Sequence, residues 1–136
     1  MNREIVRDEF FLRLPSRPAT PADIPIADDL LDTLRTNAAR CVGMAANMIG
    51  QNVRIIAVMD GATPIEMFNP VILRRDRPYD ADEGCLSLEG VRHARRYGEI
   101  KVQWQTRDFK PRIKTFRDFT AQIIQHELDH LEGVLI

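Results

Sequence analysis

No stretch of this sequence stays apolar for the ~18 residues that a membrane-spanning helix needs. The N-terminus, Met1-Asn2-Arg3-Glu4-Ile5-Val6-Arg7-Asp8-Glu9, carries charges where a secretory leader would have an apolar run. An excess of charge is missing too. The 19 Lys and Arg residues against 20 Asp and Glu give a formal net charge of -1, which offers no electrostatic case for nucleic acid or an anionic membrane. Cysteine is scarce: Cys41 and Cys85 are the only two, and in a reducing compartment they read as free thiols or a metal ligand. These absences predict a soluble, cytoplasmic protein with no membrane contact and no direct nucleic-acid partner. Internal repeats, low-complexity tracts and linkers are also lacking, so the 136 residues are read as one domain, 1–136.

Hydrophobic residues make up 44% and charged residues 29%, ordinary proportions for a globular core with a solvated surface. Arginines cluster at Arg74, Arg75 and Arg77, and again at Arg92, Arg95 and Arg96; short clusters of this kind are expected to be solvated faces.

Thr20-Pro21-Ala22-Asp23 resembles a helix start, with a capping hydroxyl and a proline at the first helical position. Ile26, Leu30, Leu31, Leu34 and Ala38 then recur at helical spacing, which predicts an amphipathic helix over roughly 26–40. Val53 to Met59 is a β-rich run closed by the turn signal Asp60-Gly61. Further strands are expected at Ile65–Phe68, Val71–Leu73, Ile100–Gln105 and Arg112–Phe116, the last two as a hairpin. Asp118 is expected to cap a final helix through Phe119, Ile123, His126 and His130, with Gly133 as its stop. The resulting fold class is α+β, with antiparallel sheets packed around the late helix.

The densest chemistry lies in His126-Glu127-Leu128-Asp129-His130. Four residues of helix rotate ~400° and rise ~6 Å, so both imidazoles leave one face, one turn apart. That spacing lets two nitrogens reach one ion at ~2.0–2.1 Å. Glu127, ~100° round from His126, can touch a water on the ion without ligating it. The chain has three histidines, and this motif uses two of them. A catalytic site needs a third protein ligand, and few residues follow His130, so the ligand is sought upstream. Cys85, in Glu83-Gly84-Cys85-Leu86-Ser87, is favoured because a thiolate binds strongly and Gly84 permits close backbone approach. Cys41 is the competitor.

These residues resemble the peptide deformylase family. Glu-Gly-Cys-Leu-Ser at 83–87 and His-Glu-x-x-His at 126–130 match two of its three motifs, in order and about forty residues apart. Phe68-Asn69-Pro70 and Gln125 also fit. The resemblance selects Cys85 as third ligand beside His126 and His130. It departs at the first motif, where the family's Gly-x-Gly-x-Ala-Ala-x-Gln reads Cys41-Val42-Gly43-Met44-Ala45-Ala46-Asn47-Met48. Met48 stands where the family has an oxyanion-binding glutamine, and a thioether cannot donate a hydrogen bond. Asn47 and Gln51 are nearby amides that could substitute.

The resemblance implies hydrolysis of the formyl group from the N-terminal formyl-methionine of new polypeptides. It assigns proton transfer to Glu127 and oxyanion binding to the Leu86 N–H and position 48. The peptide would lie extended along Val42, Gly43 and Met44, with its methionine near Val42, Ile123 and His126, and with Arg92 close to the substrate. The implied cofactor is one divalent transition metal, Fe(II) in the first place, with Zn, Ni or Co possible. A deformylase-like binder without turnover, and a hydrolase of another formyl or short acyl amide, remain as alternatives.

Overall fold

The helix that carries the histidine pair spans Asp118–Leu131 and is called α3 in a computed structural model describing residues 1–136. Ala121, Ile124, Leu128 and Leu131 recur three and four residues apart and are all buried, the stripe a helix needs to dock on a sheet. At its C-terminus Gly133 takes φ 76°. Val134 N–H then donates to Asp129 O at 2.9 Å and Gly133 N–H to His130 O at 3.1 Å. This paired arrangement stops a helix by satisfying its last carbonyls. The expected cap at the other end is corrected. Arg117 is the residue before the first turn, no side chain caps it, and Asp118 is already helical. Asp118 has φ 54°, a left-handed conformation that Asp tolerates better than most residues, and the chain uses it to turn from strand into helix.

Two shorter helices precede the sheet: α1 (Glu9–Leu12) and α2 (Ile24–Thr36). A 3-10 turn at Pro21–Asp23 leads into α2, with Thr20 at its cap as the sequence predicts. The helix stops four residues short of the expected 40, because Asn37 folds back and donates from Nδ2 to Thr33 O at 2.8 Å. No helix is long and apolar enough to cross a membrane.

Five antiparallel strands pair in sequence order: β1 (Gly43–Ala45), β2 (Ile55–Asp60), β3 (Thr63–Gly84), β4 (Val91–Gln105) and β5 (Pro111–Arg117). They form one hydrogen-bonded sheet. Strand β2 alternates between two cores. Ile56 and Val58 face α3, whereas Ile55 and Ala57 face α2. A strand buried on both faces reads as a continuous apolar run, which is why this segment was legible. The strands expected at 65–68 and 71–73 are both parts of β3, joined across register shifts beside Asn69, whose φ is 52°. Beyond them, β3 and β4 continue as a largely exposed ribbon out to Gly84 and Val91. Charges on both faces hid that extension from a reading based on apolar alternation.

Candidate metal centre

The ribbon delivers Cys85 to α3. Cys85 Sγ lies 3.3 Å from His130 Nε2, and the two Nε2 atoms of His126 and His130 are 3.2 Å apart. One ligand atom from each of the three residues falls within 4.8 Å of the others. Two metal–nitrogen bonds of 2.0–2.1 Å at a tetrahedral angle would separate their nitrogens by about 3.3 Å, so the imidazoles already stand at ligand spacing. One thiolate sulfur and two imidazole nitrogens suit a divalent transition ion and leave a fourth position open. The residues present therefore fit a metal. Both cysteines are free thiols.

Behind the histidines lies a polar network that the sequence did not foreshadow. Glu83 Oε1 accepts from His126 Nδ1 at 2.8 Å, committing that nitrogen as a donor and leaving Nε2 for an ion. Glu83 also accepts from Arg96 at 2.9 and 2.7 Å and from Gln122 Nε2 at 2.9 Å. Burial pushes the Glu83 carboxyl up, but the bonds from His126, Arg96 and Gln122 outweigh it and hold the group at about 2. Arg96 reaches on to Asp129 Oδ2 at 2.7 Å and is only 4% exposed. It is not a solvated surface charge, as its cluster suggested. The available signal was the strand period of two: Ala94 and Arg96 turn inward while Arg95 points out.

Glu127 is buried, and burial pushes its carboxyl up to about 7. It faces Gly43, where an added Cβ would stand 2.5 Å from Ile123 Cγ2 and 2.9 Å from Glu127 Oε2. Only a glycine lets β1 come this close to the helix. Between them opens a cavity of about 470 Å³ whose lining includes Val42, Gly43, Cys85, Leu86, Ile123 and Glu127.

Met44, Arg92, Met48 and Asn47 lie away from this cavity, and each has a local cause. Met44 is fully buried in the core against α2. Val42 O accepts from Met59 N–H at 2.8 Å, so strand alternation directs the polar groups of Met44 to β2 and those of Gly43 to the open edge. Arg92 is bonded to Glu89 O at 3.1 Å and stands 3.7 Å from Glu9. Met48 is buried but does not line the cavity, and its Sδ accepts from Ala45 N–H at 3.5 Å. Asn47 spends its Nδ2 on His130 O at 2.8 Å, bracing the ligand helix from behind, so it is not a replacement donor. Gln51 is exposed. Cys41 lines the cavity but is not part of the Cys85, His126 and His130 cluster. Its thiol donates to Gly43 O at 2.8 Å, and burial pushes it up to about 12.

An α+β fold with Cys, His and His donors converging beside a buried glutamate defines a metal-site protein of the His-Glu-x-x-His class. Comparison with known proteins narrows the class. The polypeptide deformylase family profile matches residues 4–136, and the chain belongs to that family. It is 48% identical over 136 residues to the peptide deformylase of Clostridium beijerinckii, covering 100% of both chains. Against that of Desulfitobacterium hafniense it is 33% identical over 133 residues, covering 97% of this chain and 85% of the relative. Among solved structures, the Met-Ala-Ser-bound class I type b peptide deformylase of Acinetobacter baumannii superposes with a TM-score of 0.90 at 26% identity, over 99% of this chain and 97% of that one. The Thermotoga maritima peptide deformylase gives 0.87 at 31%, over 99% and 94%.

Proposed function

We propose that this chain is a peptide deformylase, hydrolysing the formyl amide at the N-terminal formyl-methionine of new polypeptides in the cytoplasm, with residues 1–136 acting as one domain. The observation that carries the reading is the convergence of Cys85, His126 and His130 beside a buried Glu127, against an edge strand that can take a peptide. Cys85, His126 and His130 would hold a divalent ion, Fe(II) on this reading, although Zn, Ni and Co suit the same donors. When bound, such an ion makes a water acidic enough to act as a nucleophile near neutral pH and polarises a carbonyl.

The remaining work falls to the chain. Glu127 takes the proton of the attacking water and delivers it to the leaving amine. The Leu86 N–H donates to the oxyanion that develops on the formyl oxygen when the formyl carbon is attacked. Gly43 turns its N–H and C=O to the open edge, where an extended peptide adds as a further strand. The first side chain enters the cavity between Val42 and Ile123. Leu86 is held in turn by Arg7, whose Nη1 donates to Leu86 O at 2.9 Å.

A second reading, a binder with little or no turnover, is favoured by one observation: the Met48 sulfur accepts a hydrogen bond where a donor is wanted. The deciding measurement is formate release from formyl-Met-Ala-Ser by protein loaded anaerobically with Fe(II). Turnover that drops ~10²-fold or more in Glu127→Gln, with metal retained, supports the hydrolase. No formate from fully loaded protein supports the binder.

A further inference from the structure

Arg40 lines the same cavity yet no part of the chemistry above uses it. Its guanidinium has only Asn37 Oδ1, at 3.3 Å, and no carboxylate partner. Two of the acids that share the cavity are enclosed, and the third, Asp82, is exposed at its rim. Asp82 stands 3.3 Å from His93, Glu83 is paired with the buried Arg96, and Glu127 is itself buried. Arg40 is therefore the unpaired cation of the cleft.

Its position in the turn just ahead of β1 assigns it a task. A peptide that presents its first amide to Glu127 lies beside Gly43. It cannot continue past Met44 and Ala45, both 0% exposed, so it runs the other way, along Val42 and Cys41 towards Arg40. From its first to its third residue an extended peptide advances ~7 Å. Side chains alternate between faces, so the third residue returns to the face that the first one used, opposite Cys41 and one residue short of Arg40, whose side chain lines the same cavity.

We propose that Arg40 is a specificity-determining residue that favours an acidic side chain at the third position of the peptide. This rests on the deformylase reading for the chemistry, but binding can be measured without turnover. The probes are Met-Ala-Asp-amide and Met-Ala-Lys-amide, amidated so that no terminal carboxylate imitates the acid, titrated calorimetrically into metal-loaded protein at low salt. The Asp peptide should bind at least ~3-fold more tightly, Arg40→Gln should bring the two near parity, and Arg40→Glu should reverse the order. Raising the salt to ~0.5 M should shrink the difference, as for any exposed pair. The formylated versions should show the same ratio in kcat/KM, carried by KM.

If the Asp peptide binds better and the order reverses in Arg40→Glu while no formate is released, the subsite stands and the deformylase reading falls. Formate released equally from both peptides, unaltered by Arg40→Glu, overturns Arg40 and keeps the deformylase. Neither binding nor turnover with either peptide overturns both.

Discussion

His126 Nδ1 and Glu83 Oε1 stand 2.8 Å apart, so the ring that presents Nε2 to an ion is oriented from behind by a carboxylate on a different element. Glu83→Gln keeps the shape and removes the charge. Metal affinity should fall ~10–100-fold, measured by competition with a chelator. Arg96 would keep Asp129 but lose its buried partner, at a cost of about 3 kcal/mol in denaturant unfolding. An unchanged metal affinity would dismiss the orienting role.

The two cysteines should part company. His130→Ala and Cys85→Ser should each strip the metal from purified protein, as read by elemental analysis. Cys41→Ser should leave about one ion per chain, because that thiol serves Gly43 O. Loss of the ion in Cys41→Ser together with retention in Cys85→Ser would reverse the ligand assignment.

Met48→Gln restores an amide of similar length. Formate release should rise at least ~10-fold at constant metal content, since an oxyanion donor typically contributes ~10²–10³ in turnover and two other stabilising groups are present. Met48 is 1% exposed, so an amide left without a partner between turnovers should lower stability by about 1–3 kcal/mol. A stability loss with no gain in rate would mean that position 48 does not reach the oxyanion.

Acid stability should depend on Asp23. Two bonds from Arg17, at 2.9 and 2.8 Å, and one from the Thr20 N–H at 2.8 Å bring its carboxyl from 3.8 down to about 2. A carboxyl depressed in the folded state stabilises fully above its unfolded value and loses that contribution as pH falls through the folded one. Asp23→Asn should therefore melt a few degrees lower at pH 7. The gap from the parent should close between about pH 4 and pH 2, as followed by thermal denaturation. A constant gap across that window would assign the loss to packing.

What could be read from residues alone was whatever a single spacing encodes. His126 and His130 share a helix face by rotation, and β2 shows itself as an apolar run. The partners of those residues come from distant segments and have no local signature. Glu83 bonds to His126 across 43 positions, and Asn47 to His130 O across 83. Arg92 lies outside the cavity lining for a related reason. It sits at the outer end of a ribbon whose exposed charges carry no apolar period, so its surroundings could not be inferred from neighbours in sequence. Met44 is buried away from the cavity because adjacent residues of a strand face opposite ways, and the family pattern specifies residue types without faces.

Glu83 and Cys85 lie two residues apart at the end of β3, and that spacing has a consequence for how the ribbon is threaded. A slip of one residue against β4 sends every side chain to the opposite face, and a ribbon polar on both sides does little to forbid it. Here a slip would remove the sulfur from the ion and the carboxylate from His126 together. An ion bound between Cys85 and α3 would favour the native alignment, since a shifted pairing of β3 with β4 would carry Cys85 away from the two histidines. Metal uptake and correct threading of the ribbon would then be linked.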